Sequence, residues 1–353
     1  MFAKNHHFKS GASLSSKSKI IWRSIQLLVW CIGAIILTCL LLSPQLGVLL
    51  FWNILIPIAP LLFVIAPGIW RNVCPLATTT LLPRKLGLSK RKKMSSTTSG
   101  LLSFVAVIAL YLIIPLRHAL FNNNGFATGI MIIVMASIGV SMSFVYEWKS
   151  AWCSSLCPVH PVEKLYGAKV LLSLPNAHCD LCQNCVVPCP DATPNMSPVH
   201  ATKTIYHQLS GWMIVAGLPG FIWGWFNVPD SASVNKVMDL LIVYKNPFIG
   251  FVVSSVTYLV LFAYTKKAYE KTLVNIFAAA GVSLYYRYRI PALIGFGNFN
   301  QDGLLFNLKG VVPEWFPDTL TLISTLFFFY WIVLRAAHKT SWVIRPPFNK
   351  KQQ

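Results

Sequence analysis

The sequence predicts an all-α, polytopic membrane protein of about eight transmembrane helices, with one small polar segment set between two membrane regions. Three observations carry this prediction. Of 353 residues, 55% are hydrophobic and only 11% are charged, whereas about a quarter are charged in soluble proteins, so a soluble enzyme is excluded. The apolar residues come in long runs of roughly the 20 residues that a bilayer-spanning helix needs. The net charge of +20 punctuates those runs and is not gathered on one polar surface, as a nucleic-acid-binding domain would require.

The runs fall at 24–43, 47–70, 100–116, 126–146, 208–227, 247–265, 272–289 and 318–335, each closed by charge, Pro or Asn. The seventh is the weakest, because Arg287 and Arg289 crowd its end and the apolar stretch 290–299 offers an interfacial alternative. With the N-terminus in the cytoplasm, segments 1–23, 71–99, 147–207, 266–271 and 335–353 share one side and hold 24 of the 30 Lys and Arg. The positive-inside rule selects that orientation, a multi-pass protein of the bacterial cytoplasmic (inner) membrane with both termini cytoplasmic. Residues 1–19 read as a disordered polar tail, and the first run as a retained anchor without a cleavage signal. The expected order is a basic tail (1–23), a four-helix membrane region of two hairpins ending in Cys-Pro (24–146) and a cytoplasmic segment (147–207). A second membrane region of about four helices (208–335) and a short tail (336–353) follow. The basic cluster of Arg84, Lys85, Lys90, Arg91, Lys92 and Lys93 reads as a topology and lipid-headgroup anchor, with no nucleic acid as partner.

The cysteines carry the chemistry. Cys31 and Cys39 lie inside the first run, where a thiol packs as a small apolar group. Cys74, Cys153, Cys157, Cys179, Cys182, Cys185 and Cys189 all fall in segments expected in the cytoplasm, a reducing compartment that favours metal ligation over disulfides. The run His178-Cys179-Asp180-Leu181-Cys182-Gln183-Asn184-Cys185-Val186-Val187-Pro188-Cys189-Pro190 has the C-x2-C-x2-C-x3-C-P spacing of bacterial ferredoxins. A short loop of this kind turns three thiolates onto three irons of one cubane cluster, while the fourth Cys, before Pro, faces another cluster. A zinc knuckle is the alternative, although zinc sites usually pair two Cys and draw the rest from farther along the chain. The polar segment is therefore expected to be a small ferredoxin-like iron–sulfur unit.

Two further signals sit at helix ends. Trp152-Cys153-Ser154-Ser155-Leu156-Cys157-Pro158 contains C-x3-C-P, and Trp70-Arg71-Asn72-Val73-Cys74-Pro75 places Trp70 where the other copy has Cys153. The two read as one hairpin repeated, with a cysteine missing from the first copy. On these residues, over about 45–210, the chain resembles the membrane-bound 4Fe-4S polyferredoxin family. That family includes the quinol dehydrogenase subunit of periplasmic nitrate reductase (NapH), the nitrous oxide reductase accessory protein (NosR) and the cytochrome oxidase maturation protein (CcoG). Members typically have two C-x3-C-P motifs and two ferredoxin runs; here one C-x3-C-P is halved and a single run is present.

The resemblance implies one or two 4Fe-4S clusters held by these seven cysteines as metal and cofactor ligands. Under the ferredoxin exchange rule, Cys179, Cys182 and Cys185 take a distant partner such as Cys157, while Cys189 joins Cys153 and Cys74, leaving an iron for His160, His178, a carboxylate, water or nothing; the simpler alternative is one cluster and spare cysteines. Both histidines read equally as solvated loop residues or helix-end partners. No His lies in the middle of a run, so buried b-type haem is disfavoured, and no G-x-G-x-x-G or P-loop supports a nucleotide. A quinone between apolar helices is the remaining small partner. His200 and His207 on the cytoplasmic side, or Arg117 and His118 on the other, are its candidate polar contacts, and the Trp residues read as an aromatic belt. The expected function is electron transfer between quinol or a cytoplasmic donor and a partner redox protein, without a catalytic residue of its own. The alternatives are a maturation factor supplying electrons for metalloenzyme assembly and a zinc-stabilised scaffold.

Overall fold

The computed structural model describes residues 14–92, 94–147, 149–172, 174–178, 204–230, 237–299, 303–336 and 343–344. The ferredoxin run from Cys179 to Pro190, and His200, lie outside the described residues.

Helices α1 (Ser16–Leu42) and α2 (Pro44–Ile65) form the first hairpin. α1 starts where the Ser15 hydroxyl accepts from the Ser18 N–H, a side-chain cap for a donor with no intrahelical partner. Pro44, Pro67 and Pro75 each open a helix, a position where the missing N–H costs nothing: α2, then α3 (Pro67–Val73) and α4 (Pro75–Thr80). α5 (Ser96–Ile113) is capped by Ser95, and α6 (Gly125–Val145) by Asn124, whose side chain accepts from the Ala127 N–H at 3.0 Å. The Cys-rich stretch then forms α7 (Lys149–Leu156), wound in wider π-type turns, and α8 (His160–Tyr166). Beyond strand β1 (Leu174–Pro175) come α9 (Ile205–Phe226), α10 (Val237–Tyr264), α11 (Glu270–Leu293), α12 (Phe316–Leu334) and strand β2 (Val343–Ile344), which pairs parallel with β1.

Seven helices, α1, α2, α5, α6, α9, α10 and α12, are long and apolar enough to cross a bilayer. The eighth expected span forms helix α11, but by composition it falls short of them. The reason is its place: Leu273, Val274, Phe277, Ala278, Ala279, Val282 and Tyr286 of α11 are all buried in the central core, with α2, α5, α9, α10 and α12 around it. A helix shielded by protein needs less apolar surface than one facing lipid, and it tolerates Asn275, Ser283 and Arg289. Charge still marks its far end, where Arg289 Nη2 donates to the Trp52 carbonyl at 2.9 Å and Asn53 Oδ1 at 2.8 Å.

Backbone satisfaction explains two close contacts. α9 and α10 meet through Gly220 and Gly250, where a Cβ on either would collide with the other's carbonyl oxygen, so the two backbones touch in the manner of small-residue membrane interfaces. In α2, Pro57 and Pro60 disturb the ladder, and the Tyr286 hydroxyl enters the gap. It donates to the Pro57 carbonyl at 2.6 Å and accepts the Leu61 N–H at 3.1 Å, repairing the i→i−4 bond from outside the helix.

Tyr286→Phe leaves both groups of α2 unsatisfied in an apolar interior, and is expected to destabilise the protein by about 1–3 kcal/mol. Thermal unfolding in detergent, compared with the exposed-ring control Tyr269→Phe, measures the effect.

Candidate metal centre

Proline sets the local geometry. The residue before Pro is pushed out of the helical region, and Cys74 (φ −53°, ψ 119°) accordingly ends α3 and begins α4 in one residue. Its N–H still reaches the Trp70 carbonyl at 3.0 Å. In the second copy the Cys157 N–H reaches the Trp152 carbonyl at 2.9 Å, and the chain turns through Pro158 into α8. Each Cys-Pro thus places a thiol at a helix break.

The structure brings Cys74, Cys153 and Cys157 together. Cys74 and Cys153 rest on the same buried pair, Ala77 and Leu81. The Cys157 thiol is held well above its ordinary value by burial first and then by the neighbouring Cys153 and Cys74. Burial likewise pushes the Cys74 thiol up, opposed by the amides of Ala77 and Leu76 directed at its sulfur; the Val159 amide does the same for Cys157. In the metal-free protein the Cys74 and Cys157 thiols are neutral, so metal binding there would release their protons.

Beside them lies a buried ion pair. Arg71 of α3 donates through Nε to the Glu163 carboxylate of α8, and its Nη2 stands 2.7 Å from His160 Nδ1. Burial opposes the Arg71 charge, but Glu163, then Cys153 and Cys157, offset it and leave the guanidinium more firmly protonated than usual. His160 is held well below its ordinary value by burial, Arg71 and Lys164; it is therefore neutral, accepting at Nδ1 from Arg71. A second buried pair, Arg84 with Glu147, and the Lys92 N–H to Val145 carbonyl bond (2.9 Å) tie the basic segment to the start of the Cys-rich stretch.

The donor set fits an iron–sulfur cluster. Three thiols sit beside a fixed cation, and amides point at two of the sulfurs, the groups that tune such clusters. Among the described residues no three of His, Cys, Asp or Glu converge on one metal ion. A cubane asks for something different, since each of its thiolates binds a separate iron. The other four expected ligands, Cys179, Cys182, Cys185 and Cys189, lie outside the described residues.

Of the two readings of the histidines, the structure favours the helix-end partner for His160, which opens α8 half-buried against Arg71, and His178 is fully buried, so neither is a solvated loop residue. His207 bonds the Thr204 hydroxyl at 2.8 Å, at the start of α9. At the opposite end, His118 lies between Asp230 Oδ1 (2.5 Å) and the Trp225 carbonyl (2.9 Å), and Arg117 is stacked between Trp52 and Trp225 at 4.3 and 5.0 Å. Both His118 nitrogens are thus engaged by protein, in a network that closes that end of the bundle. Arg71, Asn72 and Glu163 were not singled out from the sequence; the one signal for them is position, within three residues of Cys74 and six of Cys157.

Comparison with known proteins finds a similarity to the ferredoxin-type protein NapH of Haemophilus influenzae, 30% identical over 152 residues, 37% of this chain and 50% of the relative. The chain thus spans about half the length of the curated relative it matches. No family model matches, and no solved structure matches significantly.

Removing one partner of a buried ion pair strands the other charge, so Glu163→Leu is expected to cost about 3–5 kcal/mol in the metal-free protein. The double variant Arg71→Leu/Glu163→Leu should recover much of that loss, read by thermal unfolding in detergent.

Proposed function

We propose that this is a multi-pass membrane electron-transfer protein in which Cys74, Cys153 and Cys157, with the run Cys179, Cys182, Cys185 and Cys189, hold one or two 4Fe-4S clusters. The observation that carries the reading is the gathering of three cysteines from two separate hairpins around the Arg71–Glu163 pair. The similarity to a ferredoxin-type protein points the same way. When bound, such a cluster supplies one-electron transfer. The chain's own part is to supply thiolates, to exclude water, to direct the amides of Leu76, Ala77 and Val159 at sulfur, and to place the Arg71 cation beside Cys153 and Cys157.

Among the described residues this end of the bundle also carries most of the Lys and Arg, and the positive-inside rule then puts it on the cytoplasmic side. Electrons then pass between a lipid-soluble quinol or a cytoplasmic donor and a partner redox protein docked at that face. Of the quinone contacts considered from sequence, His207 shares this end, whereas Arg117 and His118 are locked into the far network.

Iron, acid-labile sulfide and zinc, measured per chain after anaerobic purification in detergent, test this reading. About eight irons with matching sulfide are expected for two clusters and about four for one; zinc without sulfide overturns it. Cys182→Ser should abolish or diminish the iron–sulfur absorption, and an unchanged spectrum counts against the ligand assignment.

A further inference from the structure

Asn72 is a carboxamide with no exposed surface, one residue from Arg71 and two from Cys74. Packing alone would favour an apolar side chain there, since a buried amide is costly unless every polar group is paired. All of its groups for which partners are seen point to one task. Its carbonyl accepts from Gln26 Nε2 at 2.9 Å, which anchors α3 to α1. Its Nδ2 donates to the Pro175 carbonyl at 3.0 Å, and its Oδ1 accepts the Ala177 N–H at 3.0 Å. In an extended chain the carbonyl of one residue and the N–H two residues on face the same way. The carboxamide of Asn72 therefore takes the place of a neighbouring strand on one side of this segment, while β2 pairs with β1 through Leu174 and Pro175.

The segment is held along its whole described length. The Leu171 N–H donates to the Ile65 carbonyl at 3.1 Å, and Trp331 Nε1 of α12 donates to the Lys169 and Val64 carbonyls at 3.1 and 3.2 Å. Lys169 Nζ donates to the Val333 carbonyl at 2.9 Å, and Arg335 Nη2 to the Val170 carbonyl at 3.3 Å. Past the Asn72 bonds, the His178 N–H donates to Asn176 Oδ1 at 3.0 Å, a side-chain turn that redirects the backbone one residue before Cys179.

We infer that Asn72 is a positioning residue for iron–sulfur ligation: it fixes Pro175 to His178, the described residues that lead into the ferredoxin run, against α3, the helix that ends at Cys74. This rests on the cluster reading above and adds a residue that is not a ligand. The two amide bonds to Pro175 and Ala177 define where the lead-in runs along α3, and the Gln26 bond keeps α3 itself from shifting.

The test compares full-length wild type with Asn72→Leu, which keeps the volume and removes both bonds, and Asn72→Asp, which keeps the acceptor for Ala177 and loses the donor. Amide hydrogen exchange at Ala177 and His178 in the metal-free protein should rise about tenfold or more in Asn72→Leu. Iron and sulfide per chain should fall about twofold or more, the electron paramagnetic resonance spectrum of the reduced protein should change, and Asn72→Asp should lie between. Faster exchange with full iron content and an unchanged spectrum would overturn the inference, leaving Asn72 a purely structural residue. A wild-type protein without iron and sulfide would instead defeat the cluster reading itself, before any variant is compared.

Discussion

The ion pair between Arg71 and Glu163 joins the two Cys-Pro helices, and the placing of the cysteines depends on it. Arg71 belongs to the first hairpin and Glu163 to the second, 92 residues apart in sequence. A buried charge pair adds little net stability, because desolvation consumes most of the Coulombic gain. Its value here is geometric. A guanidinium fork has a fixed shape, and with one side on Glu163 and another on His160 it orients α3 against α8. Cys74 hangs from one of these helices, and Cys153 and Cys157 precede the other. A permanent cation is thereby kept beside thiols that metal binding would make anionic, and it lowers the cost of gathering negative charge away from water.

The bilayer imposes the second constraint. Backbone groups in hydrocarbon must be paired within the protein, yet the sequence places prolines at the very ends of helices where the cysteines sit and inside α2. Two solutions coexist. At the helix ends, Pro opens each new helix and loses no bond. Inside α2, a tyrosine from α11 supplies the missing partners. A related constraint accompanies the central place of α11: its buried polar side chains, Asn275, Ser283 and Arg289, are surrounded by protein, and Arg289 Nη2 donates to the Trp52 carbonyl and Asn53.

Much of this was legible in the sequence. Hydropathy located the seven helices long and apolar enough to cross a bilayer to within a few residues at most ends, and the spacing of Cys and Pro singled out the three cysteines that the fold brings together. α11 was the weakest reading for a physical reason, since Asn275, Ser283, Arg287 and Arg289 lower its mean hydropathy, and three of these four are buried against protein. The burial of His178 and the neutral state of His160 were not legible, because local spacing records neither how a side chain is packed nor the bond to Arg71 from the other hairpin. Glu163 carries no motif, and nothing in a linear string distinguishes its partner among thirty cations.

The strap over residues 169–178 has a consequence for how the protein is made. Lys169 meets Trp331 across 162 residues of sequence, and β1 meets β2 beyond that. During synthesis the cysteines leave the ribosome well before the last helix, so the surface that steadies the lead-in is incomplete until α12 has entered the membrane. A chain stalled short of the final helix therefore has its thiols but lacks the bonds that Trp331 and Arg335 make to the carbonyls of Lys169 and Val170.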